Sequence, residues 1–163
     1  VAAGGRVGKN TAGDKDDFLE CEKMVKERKL EGRVFLFPNI AEEKKKILLN
    51  TADIVISPNI KTRDSMEGFG INVLEGAVCG RVVVASKMEG LKDATKDGEN
   101  GFLIEPENAD AWTEKIKELL SNDEFREKFG KKAKKYTIDN FSWDKIARRY
   151  LEELRKSTKN NVS

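Results

Sequence analysis

The chain has 163 residues, of which 31 are Lys or Arg and 29 are Asp or Glu, so its formal net charge is +2. Because the two signs are interspersed, the charge gives no support for binding to nucleic acid or to an anionic membrane. Histidine is absent, and the two cysteines form no CxxC pair, so neither a zinc site nor a disulfide framework is indicated.

Short runs of β-branched or aromatic residues, bounded by turn residues, predict five strands, at residues 1–3, 33–37, 53–57, 82–85 and 102–104. Between the strands lie segments with helical periodicity, one following the Asp-rich residues 14–17 and another beginning near Ala41. Alternating strands and helices are typical of parallel βαβ units, and continuously apolar strands indicate a sheet covered on both faces. The sequence therefore predicts an α/β fold, with a parallel sheet and flanking helices.

The chain after the last predicted strand is expected to be nearly all helical, at residues 109–121, 123–137 and 143–156. Asn108 and Ser142 stand where N-caps are expected. Five aromatic residues at helical spacings are predicted to belong to the core: Trp112, Phe125, Phe129, Phe141 and Trp143. No repeat or linker divides the chain, so residues 1–156 are predicted to be one domain and residues 157–163 a frayed tail.

The segment MEGFGINVLEG, residues 66–76, combines a Gly-Phe-Gly turn with the start of a predicted helix. Gly68 and Gly70 permit backbone conformations closed to other residues and let a ligand approach the chain closely. Placing successive residues 100° apart gives the helix an apolar half, predicted to pack on the sheet, that consists of Ile71, Val73, Leu74, Ala77 and Val78. The opposite half consists of Asn72, Glu75, Gly76 and Cys79.

Two interpretations of this segment stay open from the residues alone. In the first, Glu67 favours the positive end of the helix dipole and Glu75 is a solvated helix residue. In the second, the N–H groups of residues 68–72 bind a phosphate at the open end of the parallel sheet. The two glutamates would then bind hydroxyl groups, because carboxylates repel phosphate, and the ligand would be a nucleotide sugar.

Four passages in order make the second interpretation more specific: GRVFLFPNI, ADIVISP, EGFGINVLEGAVCGRVVVAS with its E-x7-E pair, and EGLKDATKDGENGFLIEPENADAW. They resemble the retaining glycosyltransferases of the GT-B fold in family 4, also called glycosyl transferases group 1. The resemblance covers nearly the whole chain. It implies the C-terminal, donor-binding half of a GT-B fold, Rossmann-like with a helical C-terminal third, without its first strand and helix and without the N-terminal acceptor domain.

The resemblance also implies a role for each site residue. Glu67, the catalytic residue, would contact the transferred sugar and stabilise positive charge at its anomeric carbon, while Glu75 would accept hydrogen bonds from the ribose. Asn39 and Ile40 would present backbone atoms to the base. The remaining donor-binding residues would face the sugar or offer N–H groups to the diphosphate: Gly68, Phe69 and Gly70, then Ile71 and Asn72.

The implied function is transfer of a mannose- or glucose-type sugar from a nucleotide-diphosphate sugar to an acceptor hydroxyl, in polysaccharide or glycolipid synthesis. The acceptor would be lipid-linked or a glycan, and the enzyme would be cytoplasmic, peripheral at the inner membrane face, with no nucleic-acid partner. No metal and no cofactor are expected, and the isolated donor domain is expected to be inactive. Two alternatives stay open: a related GT-B enzyme, such as a nucleotide-sugar epimerase or a sugar phosphorylase, and a non-catalytic nucleotide-binding module.

Overall fold

The structure is a computed structural model that describes residues 2–5, 17–38, 40–61 and 69–160. In chain order its elements are β1 (Ala2–Gly5), α1 (Asp17–Glu27), β2 (Phe35–Pro38), α2 (Glu42–Thr51), β3 (Ile54–Ser57), α3 (Ile71–Val78), β4 (Val82–Ser86), α4 (Leu91–Ala94), β5 (Phe102–Ile104), α5 (Ala109–Leu120), α6 (Asp123–Phe141) and α7 (Trp143–Asn160). The boundary between two compact units follows Ile47. The prediction of one domain over residues 1–156 stays a prediction.

The first unit contains a parallel pair of strands. β1 pairs with β2 so that Ala2 lies opposite Phe35 and Gly5 opposite Pro38. The helix between them, α1, contacts β2. After α1 the chain turns through Lys29 at φ 52° and Gly32 at φ 75°. These left-handed conformations end the helix and lead the chain into β2.

The second unit is built on a parallel sheet in the order β3, β4, β5. All five residues of the central strand β4 are buried. Three of them are consecutive valines, whose β-branched side chains suit a strand covered on both faces. The buried apolar residues that form the core are Val73, Ala77, Val82, Val83, Val84, Ala85, Leu91, Ala94, Leu119, Phe129 and Ala133. The predicted α/β fold, with its parallel sheet, flanking helices and helical C-terminal part, is confirmed.

The helix α3 lies on this sheet through a glycine. A Cβ at Gly76 would be 3.0 Å from Val83 Cγ2 and 3.2 Å from Val55 Cβ, on the two neighbouring strands. Val73 and Ala77, on either side of Gly76 along the helix surface, are completely buried. The packing face of α3 is therefore narrow, and the helix approaches the sheet closely because position 76 has no side chain.

The predicted packing face of α3 was wrong at both of its edges. Ile71 is 64% exposed and Val78 is 41% exposed, although both were assigned to the half that packs on the sheet. Gly76, assigned to the opposite half, is buried. A helical wheel sorts residues by apolarity, whereas the distance at which a helix packs on a strand depends on the size of the side chains between them.

Polar side chains organise the helical C-terminal part. Asn108 and Asn122 cap α5 and α6, since each side-chain oxygen accepts a backbone N–H three residues further on, at 3.1 Å and 2.9 Å. Asn100, in the turn before β5, is completely buried. Its side chain accepts the N–H of Lys96 at 2.7 Å and donates to Ala94 O at 2.9 Å. A buried side-chain amide without hydrogen-bond partners would lower the stability of the fold, and these two hydrogen bonds supply the partners.

The long helix α6 packs on the sheet through aromatic residues and on the turn before β4 through a glycine. The ring of Phe102 in β5 stacks on Phe129 with centroids 4.6 Å apart, and Phe125 stacks on Phe129 with centroids 5.8 Å apart. Gly130 fits directly over the backbone of Gly80, because a Cβ there would overlap Gly80 O. The aromatic core prediction is confirmed for Phe129, which is buried, and was wrong for Phe125, which is 38% exposed.

The last helix, α7, presents an apolar stripe to solvent. Trp143, predicted to be core, is 86% exposed, so that prediction was wrong. The other exposed apolar residues of α7 recur at helical spacing: Ile146, Tyr150, Leu151 and Leu154. Within the described residues, no helix is long and apolar enough to cross a membrane.

Several element boundaries differ from the sequence predictions. The helix α4 was not predicted, since four residues are too few to show periodicity. α6 continues to Phe141 rather than ending at residue 137, and α7 continues to Asn160, past the predicted start of the frayed tail at 157. β2 lies at Phe35–Pro38 rather than at 33–37.

Candidate functional site at the start of helix α3

The candidate site lies where α3 begins, at the carboxyl end of β3. The side-chain nitrogen of Asn72 in the first turn of α3 is 2.8 Å from the hydroxyl oxygen of Ser57, the last residue of β3. The helix start is thereby placed at the edge of the parallel sheet where the strands end. In parallel α/β folds, this edge is where ligands bind.

Gly70 makes the turn that starts the helix. Its backbone is left-handed, with φ 50° and ψ 44°, and the residue is buried. A Cβ at this position would lie 2.8 Å from Leu91 Cδ2 and 3.4 Å from Ala94 Cβ. Only glycine meets both demands without strain, because other residues pay a steric penalty in this conformation and would also collide with α4.

The backbone N–H groups in the first turn of α3 differ in their hydrogen bonds. The N–H of Val73 donates to Gly70 O and to Asn72 Oδ1, each at 3.0 Å. Among the residues that the structure describes, no acceptor lies against the N–H groups of Ile71 and Asn72. Two N–H groups at the positive end of a helix form a favourable environment for an anion such as a phosphate.

Phe69 and Glu75 flank this turn. Phe69 is 39% exposed, and its ring packs against Phe141 at the end of α6 with centroids 6.2 Å apart. Glu75 is half-buried one turn into α3, on the same side of the helix as the exposed Ile71. Five of the predicted residues therefore lie together: Phe69, Gly70, Ile71, Asn72 and Glu75.

The structure does not test the other four predicted site residues. Glu67, Gly68 and Asn39 lie outside the described residues. Ile40 is half-buried between β2 and α2 in the first unit, which is described by itself. The role of each of the four stays a prediction.

The described part of the chain contains no group of three or more cysteines and carboxylates that could hold a metal ion. The expectation that the site works without a metal stays a prediction. A phosphate bound at this end of α3 would instead be stabilised by backbone N–H groups and by the helix dipole.

Sequence reasoning missed the side chains that hold the site together. Ser57 is buried, accepts a hydrogen bond from Asn72, and donates one to Asn59 Oδ1 at 2.8 Å. The sequence feature that could have indicated this role is a serine at the end of an apolar strand, followed two residues later by an asparagine. Asn72 had been assigned only a backbone role.

Residues 7–136 match the family model described as glycosyl transferases group 1. An uncharacterised glycosyltransferase from Methanocaldococcus jannaschii is 36% identical over 140 residues, which cover 84% of this chain and 33% of that protein. The chain spans a quarter to a third of the length of the curated relatives it matches.

Solved structures agree with the family match. The C-terminal domain of a glycosyl transferase group 1 protein from Francisella tularensis is 26% identical, with a TM-score of 0.64, over 80% of this chain and 65% of that one. A variant of TarM from Staphylococcus aureus, in complex with fondaparinux, α-GlcNAc-glycerol and UDP, is 30% identical. Its TM-score is 0.69, over 82% of this chain and 26% of that one. The fold matches the C-terminal domains of GT-B glycosyltransferases, and the chain belongs to the glycosyl transferases group 1 family.

Proposed function

We propose that this chain is the donor-binding part of a retaining, family 4 glycosyltransferase that transfers a mannose- or glucose-type sugar from a nucleotide-diphosphate sugar. The observation that carries the proposal is the start of α3, where a glycine turn leaves the N–H groups of Ile71 and Asn72 without acceptors among the described residues. The related TarM variant was solved with UDP, which supports a nucleoside diphosphate as the ligand.

The proposed donor lies with its diphosphate against the first turn of α3. The helix dipole and the two N–H groups stabilise the negative charge that grows on the diphosphate as it leaves, so no metal is needed. Glu75, half-buried one turn further along α3, accepts hydrogen bonds from the ribose hydroxyls. Glu67 contacts the sugar and stabilises positive charge at its anomeric carbon.

The proposed transfer proceeds on one face of the sugar. The bond between the anomeric carbon and the diphosphate oxygen breaks, and the acceptor hydroxyl forms a new bond to the same carbon from the same side. The hydroxyl proton passes to the leaving diphosphate. This route requires no side-chain general base, which fits a chain that contains no histidine.

Titration of the isotope-labelled chain with UDP, GDP and the matching nucleosides tests the proposal by NMR. We expect the backbone amide signals of Ile71 and Asn72 to move with a diphosphate and to stay in place with a nucleoside alone. If neither diphosphate moves these signals at millimolar concentration, the proposed function is wrong.

A pair of carboxylate variants tests the ribose contact. Glu75→Gln is expected to weaken binding of the nucleoside portion about fivefold to tenfold, since Gln still accepts hydrogen bonds but lacks the charge that makes them about twice as strong, a difference of about 1–1.4 kcal/mol. Glu114→Gln, at an exposed position of α5, makes the same chemical change away from the site and should leave the affinity unchanged. Equal affinities of the two variants would contradict the role of Glu75.

A further inference from the structure

We propose that Asn72 is a positioning residue of the donor site, and that its side chain fixes the first turn of α3 to the end of β3. The inference rests on the proposed function and goes beyond it, because it concerns a side chain that does not contact the donor. Asn72 would act through the backbone N–H groups of its own turn, which bind the diphosphate.

A continuous chain of hydrogen bonds joins the first turn of α3 to the end of β3. Asn72 Nδ2 donates to Ser57 Oγ at 2.8 Å, and Ser57 Oγ donates to Asn59 Oδ1 at 2.8 Å. At its other end, Asn72 Oδ1 accepts the N–H of Val73 at 3.0 Å. Ser57 is only 2% exposed, so the middle of this chain is shielded from water.

The direction of these hydrogen bonds is forced by chemistry. The backbone N–H of Val73 can only donate, so the oxygen of the Asn72 amide must face it. The amide nitrogen then faces Ser57, whose hydroxyl has one proton and gives it to Asn59. With its oxygen on the Val73 N–H and its nitrogen on Ser57, the Asn72 amide has one orientation, and it bridges the first turn of α3 and the end of β3.

This link adds a side-chain hydrogen bond from β3 to a helix start whose first residue packs weakly. Ile71 is 64% exposed and contributes little packing, and the buried residues of α3 begin only at Val73. The close fit of Gly70 against Leu91 holds the turn before the helix. The Val73 N–H donates to Gly70 O as well as to the Asn72 side chain, so the N–H groups of Ile71 and Asn72 are the ones offered to an anion.

Three variants separate a positioning role from a purely structural one. Asn72→Ala removes the link from the helix, and Ser57→Ala removes it from the strand while leaving every α3 residue unchanged. Asn122→Ala is the matched control, because it also removes an asparagine side chain that accepts a helix N–H, at 2.9 Å, but at the start of α6. NMR spectra of each variant verify that it is folded.

The measured quantity is the ratio of the Kd for uridine to the Kd for UDP, which isolates the part of binding that the diphosphate supplies. We expect this ratio to fall about threefold to tenfold in Asn72→Ala and in Ser57→Ala, the effect of one hydrogen bond. The double variant should fall no further than either single variant, because both remove the same link. Asn122→Ala should keep the wild-type ratio.

The outcomes separate this inference from the proposed function. Wild-type chain that binds UDP no better than uridine would overturn both. A wild-type preference for UDP that survives in both Asn72→Ala and Ser57→Ala would overturn only the positioning role. So would an equal loss of uridine and UDP affinity in these variants, since that is what a general structural defect produces.

Discussion

Replacing Gly70 with alanine tests how the start of α3 fits against α4. The substitution places a Cβ in a left-handed conformation, at a cost of about 1–2 kcal/mol. The same Cβ would lie 2.8 Å from Leu91 Cδ2, and Leu91 is completely buried, so its side chain has little room to move. Overpacking of this kind costs about 1–3 kcal/mol. We therefore expect Gly70→Ala to lower the free energy of unfolding by about 2–5 kcal/mol.

Urea denaturation of the variant and of a matched control measures the two contributions separately. Gly98→Ala is the control, because Gly98 also has a positive φ, 72°, but a Cβ there would meet nothing within 4 Å. The control should lose only the backbone cost, and the difference between the variants reports the collision with Leu91. If Gly70→Ala is no more destabilising than Gly98→Ala, the described contact between the turn and α4 is wrong.

Three further substitutions test the rest of the second unit. Gly130→Ala should lower the free energy of unfolding by about 3 kcal/mol or more in urea, because its Cβ would overlap the backbone of Gly80. Asn100→Ala should cost about 2–4 kcal/mol in the same assay, since it leaves buried backbone groups unpaired. Lys87 Nζ donates a hydrogen bond to Glu105 Oε1, and this bond, followed by the charge of Glu105, raises the pKa of Lys87. The pair therefore stabilises the fold at neutral pH and loses its effect as pH rises through the folded-state pKa. NMR titration of Lys87 should show the raised pKa, and Glu105→Gln should return it toward its usual value.

The parts of the fold that local sequence determines were predicted well. Strands β4 and β5 are continuous runs of apolar residues, largely β-branched in β4, bounded by turns, and their positions agree with prediction to within a residue. Asn108 caps α5 as its position before a periodic segment indicated. Such features depend on a few consecutive residues, so the sequence contains the whole signal.

The parts that depend on distant contacts were not predictable in the same way. The hydrogen bond between Asn72 and Ser57 joins residues fifteen positions apart, and nothing in either local sequence specifies it. The burial of Gly76 depends on side chains from two strands, Val55 and Val83. The site residues came from a family resemblance, and the structure brings together those that lie on or beside α3.

The complete burial of β4 has a consequence for the timescale on which the molecule opens. Its backbone is bonded on both sides within the sheet, so amides such as that of Val84 should exchange with solvent hydrogen only when the second unit unfolds. The amides of Ile71 and Asn72, which have no acceptor among the described residues, should exchange many orders of magnitude faster. One hydrogen-exchange experiment therefore measures two quantities. The exchange rate of the β4 amides reports the stability of the second unit, and slower exchange of the Ile71 and Asn72 amides after UDP is added reports occupancy of the donor site.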